Sequence, residues 1–365
     1  PLKPCLQWIA HPEGYWILRN REDVTFLQVD SRSQQAIALL GTMPPEEIAR
    51  KSGLSPQHLN YLMQLLAATG MLRGTKPQKP PKKKFHPLQL LFFKVPLFNP
   101  DPWLGFPARV LRGLWTRSFF WLLVVFLCAS AAVGLNLRSE ILLAGSSLWE
   151  AQGGTLLLPF ALLAVSVVTL HEIAHALTLK HYGGIVPEVG FLFMFLMPAA
   201  YTNTSDSYCL VKRRQRIFVV GAGVLCQLAI GAIALWLWLL SVSSSWLHPT
   251  SYLLLVAALF TIAVNLNPLA KFDGYYLAVA LTGINNLRSR SFEFYRNWLT
   301  GKPIGEKPED CRVLAAYAPL SFLYILVVFG SLFFFVAYWI FDQIPLTAMF
   351  LLLAWSIYYF FPRSE

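Results

Sequence analysis

"VVTLHEIAHALTLKHYGG" (residues 167–184) sets two histidines and a glutamate inside a long apolar run. On a helix, His171 and His175 fall one turn apart on one face. There they can grip a single metal ion through their imidazoles, with Glu172 beside them to take a proton from an activated water. The run reads as a membrane-crossing helix over roughly residues 155–180. At 1.5 Å per residue, His171 lies about 24 Å along it. An ionised glutamate at that depth is expensive unless compensated, and a divalent cation is such a compensator. The blander reading, two packing histidines with a paired glutamate, has to bear that cost without a metal.

Composition agrees with a membrane solvent. The chain has 365 residues, 56% hydrophobic and only 13% charged, which is too apolar for an ordinary soluble domain and points to a polytopic membrane protein. The net charge of +11 matters less than where the Lys and Arg residues fall, so it does not argue for nucleic acid. The five cysteines, at positions 5, 128, 209, 226 and 311, show no C-x-x-C spacing and read as packing residues. The opening residues look like folded domain and not like a cleavable signal.

Six spans are expected, near 118–137, 155–180, 217–240, 251–270, 314–341 and 345–361. Lys212, Arg213, Arg214 and Arg216 lie between the second and third spans. Arg288, Arg290, Arg296, Lys302, Lys307 and Arg312 lie between the fourth and fifth, whereas the opposite side receives only Arg138. Both termini and the two basic loops are therefore expected to be cytoplasmic.

Residues 1–75 have another character. "GYWILRN" and "VTFLQVD" read as two strands around a turn, followed by three short helices, the first from Asp30 to Gly41 and the last from Ser55-Pro56 to Gly70. Leu59, Leu62, Met63 and Leu66 form one apolar face of that last helix. The expected fold is a small soluble α+β domain of winged-helix type. "GTKPQKPPKKKFHP" then reads as a solvated linker or, alternatively, as an electrostatic attachment to anionic lipid. Residues 76–117 thus form a basic, Pro-rich linker and an interfacial segment, in which "LQLLFFKVPLFNPDPWLGF" is broken by prolines and should lie along the membrane surface without crossing.

Catalytic zinc usually has three protein ligands, so two histidines call for a third at the same depth. "VNLNPLAKFDGYY" (residues 264–276) supplies one: Asp273, between a Pro268 that must disrupt the helix and a Gly274 that permits an unusual backbone. Counted from the far side near residue 251, Asp273 arrives close to the same membrane face as His171.

At this point the residues resemble the site-2 protease family of intramembrane zinc metalloproteases. Its pattern pairs H-E-x-x-H with N-x-x-P-x-x-x-[LF]-D-G, matched here by His171, Glu172 and His175 and by Asn265, Pro268, Phe272, Asp273 and Gly274. The resemblance covers roughly residues 85–300. "NPLAKFDGYY", with "FKVPLFNPD" upstream, more nearly resembles a bacterial peptide zinc metalloprotease subgroup often linked to modified-peptide production or export. The resemblance implies Zn2+ held by His171, His175 and Asp273, Glu172 as general base, and Asn265 near the substrate or the developing oxyanion. It also implies a bacterial inner-membrane location, a transmembrane metalloprotease core over 118–300 and C-terminal transmembrane helices over 301–365. One departure is visible. The third core helix of the family commonly carries A-G-P-x-x-N, and "GAGVLCQ" has Val224 and Gln227 instead.

Residues 1–75 resemble the PqqD-like peptide-recognition fold, which implies a precursor leader peptide added as another strand. A DNA-binding winged helix fits less well, because residues 52–72 contain no Lys or Arg to neutralise phosphates. His181 reads as a solvated interfacial histidine at a helix end. Residues 184–208 read either as a hairpin beside the active site or as a plain interfacial loop. The expected partners are the lipid bilayer and a peptide or membrane-protein substrate, with no nucleic acid. The competing function is a catalytically idle, membrane-anchored peptide-binding or assembly protein that retains the metal site.

Overall fold

The computed structural model describes residues 2–12, 14–77, 92–194, 197–343 and 346–360. The chain is mostly helical and divides into two compact units, Pro1–Asn267 and Pro268–Glu365.

The first unit opens with an antiparallel sheet of β1 (Leu6–Ala10), β2 (Trp16–Asn20) and β3 (Thr25–Val29), in that order. Helices α1 (Ser31–Ala38), α2 (Pro45–Ser52) and α3 (Pro56–Ala68) follow. Asp30 caps α1 by accepting from the Ser33 N–H, and Ser55 caps α3 by accepting from the His58 N–H. Each thereby satisfies an orphan donor of a first helical turn. Gly53, at φ +67°, ends α2 in the left-handed conformation that glycine adopts without penalty. Leu18, Val29, Ile37, Leu62, Leu66 and Met71 form the core, with Trp8 and Trp16 packed against it. β1 is an addition to the expected strands. Five residues near the terminus carry little periodic signal, and Leu6 and Trp8 show their apolar face only once paired with β2.

The opposite face of β2 is also buried, with Ile17 and Arg19 3% and 7% exposed. The Arg19 guanidinium donates to Asp206 from Nε to Oδ1 at 2.8 Å and from Nη2 to Oδ2, a bidentate pair. Phe26 stacks on Tyr208 at 5.8 Å, and Arg216 meets His11 at 3.2 Å. Residues 1–75, which precede the expected linker, therefore pack as part of the first unit. The lysine run of that linker lies within 78–91, outside the described residues.

The segment expected to lie along the membrane surface forms β4 (Phe92–Phe98) and α4 (Asp101–Val110). β4 is the edge of a second antiparallel sheet with β5 (Val189–Met194) and β6 (Met197–Thr202). Pro96 is tolerated there because an edge strand can spare an N–H, and the register shifts beside it. The region 184–208 is thus a hairpin recruited into a sheet, not a plain loop.

The remaining helices of this unit are α5 (Arg117–Asn136), α6 (Arg138–Gln152), α7 (Leu157–His181), α8 (Arg213–Leu240) and α9 (Leu247–Asn265). The second unit contains α10 (Asp273–Thr282), α11 (Leu287–Leu299), α12 (Pro308–Gln343) and α13 (Leu346–Phe360). Among the described residues, five stretches are long and apolar enough to cross a membrane: Arg117–Asn136, Arg138–His181, Arg213–Leu240, Leu247–Asn265 and Pro308–Tyr338. Of the expected sixth span, 345–361, the described residues form α13, 15 residues long, and among the described residues it is shorter than the roughly 20 a crossing helix needs. α6 replaces what had read as a connecting stretch between the first two spans. Within the second unit, Arg290 binds Glu306 and Asp310 between α11 and α12.

Candidate metal centre

α7 contains no internal proline beyond its first turn and carries His171 and His175 on one buried face, 2% and 6% exposed. Their Nε2 atoms stand 3.0 Å apart. Two nitrogens each about 2.0–2.1 Å from a tetrahedral zinc would lie about 3.3 Å from one another, so the pair is already close to ligating geometry. His175 Nδ1 lies 2.6 Å from the Val219 carbonyl oxygen. A carbonyl can only accept, so Nδ1 carries the proton and donates, which leaves Nε2 to serve as the ligand atom.

α8 lies flush against the two rings because of Gly223. A Cβ built there would overlap the imidazoles of both His171 and His175. Val219 and Gly223, one turn apart on α8, thus orient the pair from one side. On the other, β6 packs along α7, and Thr202 Oγ1 donates to the Glu172 carbonyl at 3.2 Å. Glu172 is half-buried, between the two histidines in sequence. Nothing in the one-dimensional pattern marked Val219, because its contribution is a backbone oxygen. Gly223 was visible only as one glycine in a helix that tolerates several.

Asn265 is the last residue of α9. Pro268 follows shortly, and the residue before a proline is steered out of helical conformation. The chain is irregular until α10 begins at Asp273, which occupies the first helical position. Tyr317 OH donates to the Pro268 carbonyl at 2.8 Å and pins this turn within the second unit. Gly274 lies buried inside α10 and is not among the glycines with positive φ, so the unusual backbone expected of it is not used. A carboxylate in a first helical turn also suits the helix dipole, so Asp273 has a local structural use as well.

Among the described residues, one group of His, Cys, Asp and Glu side chains could hold a metal ion. It consists of His171, His175 and Asp273, which each offer one ligand atom, all within 4.8 Å of one another. The donor set of two imidazoles and one carboxylate suits a borderline cation such as zinc, and three protein ligands leave a coordination position open. His181 ends α7 and stacks on Trp115 at 4.3 Å, and it stands outside the group.

No family model, curated protein or solved structure matches the chain.

Proposed function

We propose that the chain is a zinc metalloendopeptidase seated in a membrane, which hydrolyses peptide bonds of a membrane-associated protein or precursor peptide. The observation that carries this reading is the convergence of His171, His175 and Asp273 with Glu172 next to the first of them. A zinc ion held by these three would acidify water and polarise a peptide carbonyl. Glu172 accepts the proton of the attacking water and returns it to the departing amine. Retention of this glutamate favours hydrolysis over a purely structural metal, which would not need it.

A helical substrate hides its carbonyls in its own hydrogen bonds, so the scissile stretch must be extended when it arrives. Among the described residues β6 pairs with β5 on one side only, and its Thr202 is tied to the backbone of Glu172. Its free edge supports a reading in which the substrate is held as an added strand. Asn265 is assigned to the substrate side by its place in the N-x-x-P motif. The basic segments around Lys212–Arg216 and Arg288–Arg312 support a cytoplasmic orientation for that face, in a bacterial inner membrane. The docked amino-terminal domain is assigned the task of delivering a precursor leader.

The test is metal content followed by cleavage. Purified wild type should carry about one zinc per chain, lost on His175→Ala or Asp273→Ala. Glu172→Gln should keep the zinc and abolish cleavage of a casein segment fused to a single membrane helix. Wild type without metal overturns the proposal. Zinc retained with no cleavage of any membrane-tethered peptide would assign the chain to peptide binding or assembly instead.

A further inference from the structure

Gln227 is completely buried in α8, and neither its Oε1 nor its Nε2 meets a hydrogen-bond partner among the described residues. An amide in an apolar interior is costly unless its donors and acceptor are satisfied. Its position is informative. Val219, Gly223 and Gln227 follow one another at four-residue steps, so Gln227 continues the face that receives the histidines, about 6 Å beyond Gly223 along the axis. Its neighbour Cys226 reaches the Leu170 carbonyl at 3.7 Å, which puts this turn of α8 level with the residue before His171. One turn further, Gly231 faces Ala258 of α9. Gln227 is therefore buried on the face of α8 that continues from Gly223, and the buried residues of the flanking helices α7 and α9 include the apolar Val167, Ala257 and Ala258.

We infer that Gln227 holds internal water and is the inner station of a water path to the His171–His175 face. A buried water typically makes about three hydrogen bonds, and a glutamine amide presents two donors and a carbonyl. The inference rests, for its purpose, on the hydrolytic reading. Each peptide bond cleaved consumes one water, whose oxygen bonds to the carbonyl carbon as the C–N bond breaks and whose protons end on the new carboxyl and amine groups. A site built on two buried histidines has to be resupplied with water after every turnover. Gln227 is thus a positioning residue for water, not a group that touches the scissile bond.

The experiment is radiolytic hydroxyl-radical labelling of the full chain in detergent, read by mass spectrometry at Val224 and Cys226, with and without Gln227→Leu. Bound water next to the amide should label both positions in wild type, and labelling should fall about fivefold or more when the amide and its hydrogen bonds are gone. Absence of labelling in wild type, or equal labelling in the variant, overturns the inference whether or not the protein is a protease. With the casein–helix fusion, Gln227→Leu should keep its zinc and its KM while kcat drops about tenfold, the worth of one lost hydrogen-bonded contact. Gln227→Asn should recover part of that loss, a response that simple packing would not give. An unchanged kcat in Gln227→Leu also overturns it. Should wild type cleave nothing, the hydrolytic reading falls and the labelling result still decides whether water is held.

Discussion

The Nδ1–H of His175 donates to the Val219 carbonyl at 2.6 Å, so a backbone atom of α8 fixes the tautomer of a side chain on α7. The same contact requires α8 to approach closely, and Gly223 is what permits it.

Gly223→Ala is accordingly expected to disrupt the metal centre without touching a ligand. The new methyl group meets both imidazoles, and displacing oriented ligands costs about 10–100-fold in metal affinity. Competitive chelation followed by elemental analysis measures it. Gly221→Ala, where a Cβ meets nothing within 4 Å, should leave affinity unchanged.

The Arg19–Asp206 pair joins the amino-terminal sheet to the segment before α8, and Asp206 Oδ2 also accepts from the Ile185 N–H at 2.7 Å. Arg19→Met strands a buried carboxylate and should destabilise the docked domain by about 3–5 kcal/mol. Limited proteolysis of the full chain should then release residues 1–75 far faster. Arg19→Met combined with Asp206→Asn should recover much of the loss, since no lone charge remains and an amide oxygen can still accept from Ile185.

Val24 holds φ at +48°, a left-handed conformation rare for a β-branched residue. Relieving it is worth about 1–2 kcal/mol, against about 0.5–1 for the extra freedom glycine has when unfolded. Val24→Gly should therefore raise the thermal midpoint of the amino-terminal domain, read by the protease susceptibility of that domain in the full chain on heating. A lower midpoint would show that the turn is not strained.

The Lys3 ammonium donates to Asp23 at 2.8 Å and, with Asn20, holds the Asp23 carboxyl below its ordinary 3.8. A depressed folded value means that the contribution is fully present above about pH 4 and is lost as pH falls through the folded value. Asp23→Asn should leave acid stability flatter than wild type below pH ~4. Parallel acid unfolding curves for the two proteins would rule the contribution out.

The sequence by itself determined that apolar helices dominate, the H-E-x-x-H spacing and the capped starts of the helices at Asp30 and Ser55, because each depends on a local period or on one residue beside its own helix end. It also drew attention to Asp273, through a proline and a motif a hundred residues from the histidines. Tertiary structure alone decided that β4 joins β5 and β6, that both faces of β2 are buried, that Val219 and Gly223 meet the histidines, and that Gln227 is buried one turn further along α8. Those relations are between segments distant in the chain. They rest on a backbone carbonyl, a missing Cβ and an amide in an apolar interior, none of which leaves a periodic trace in the order of residues.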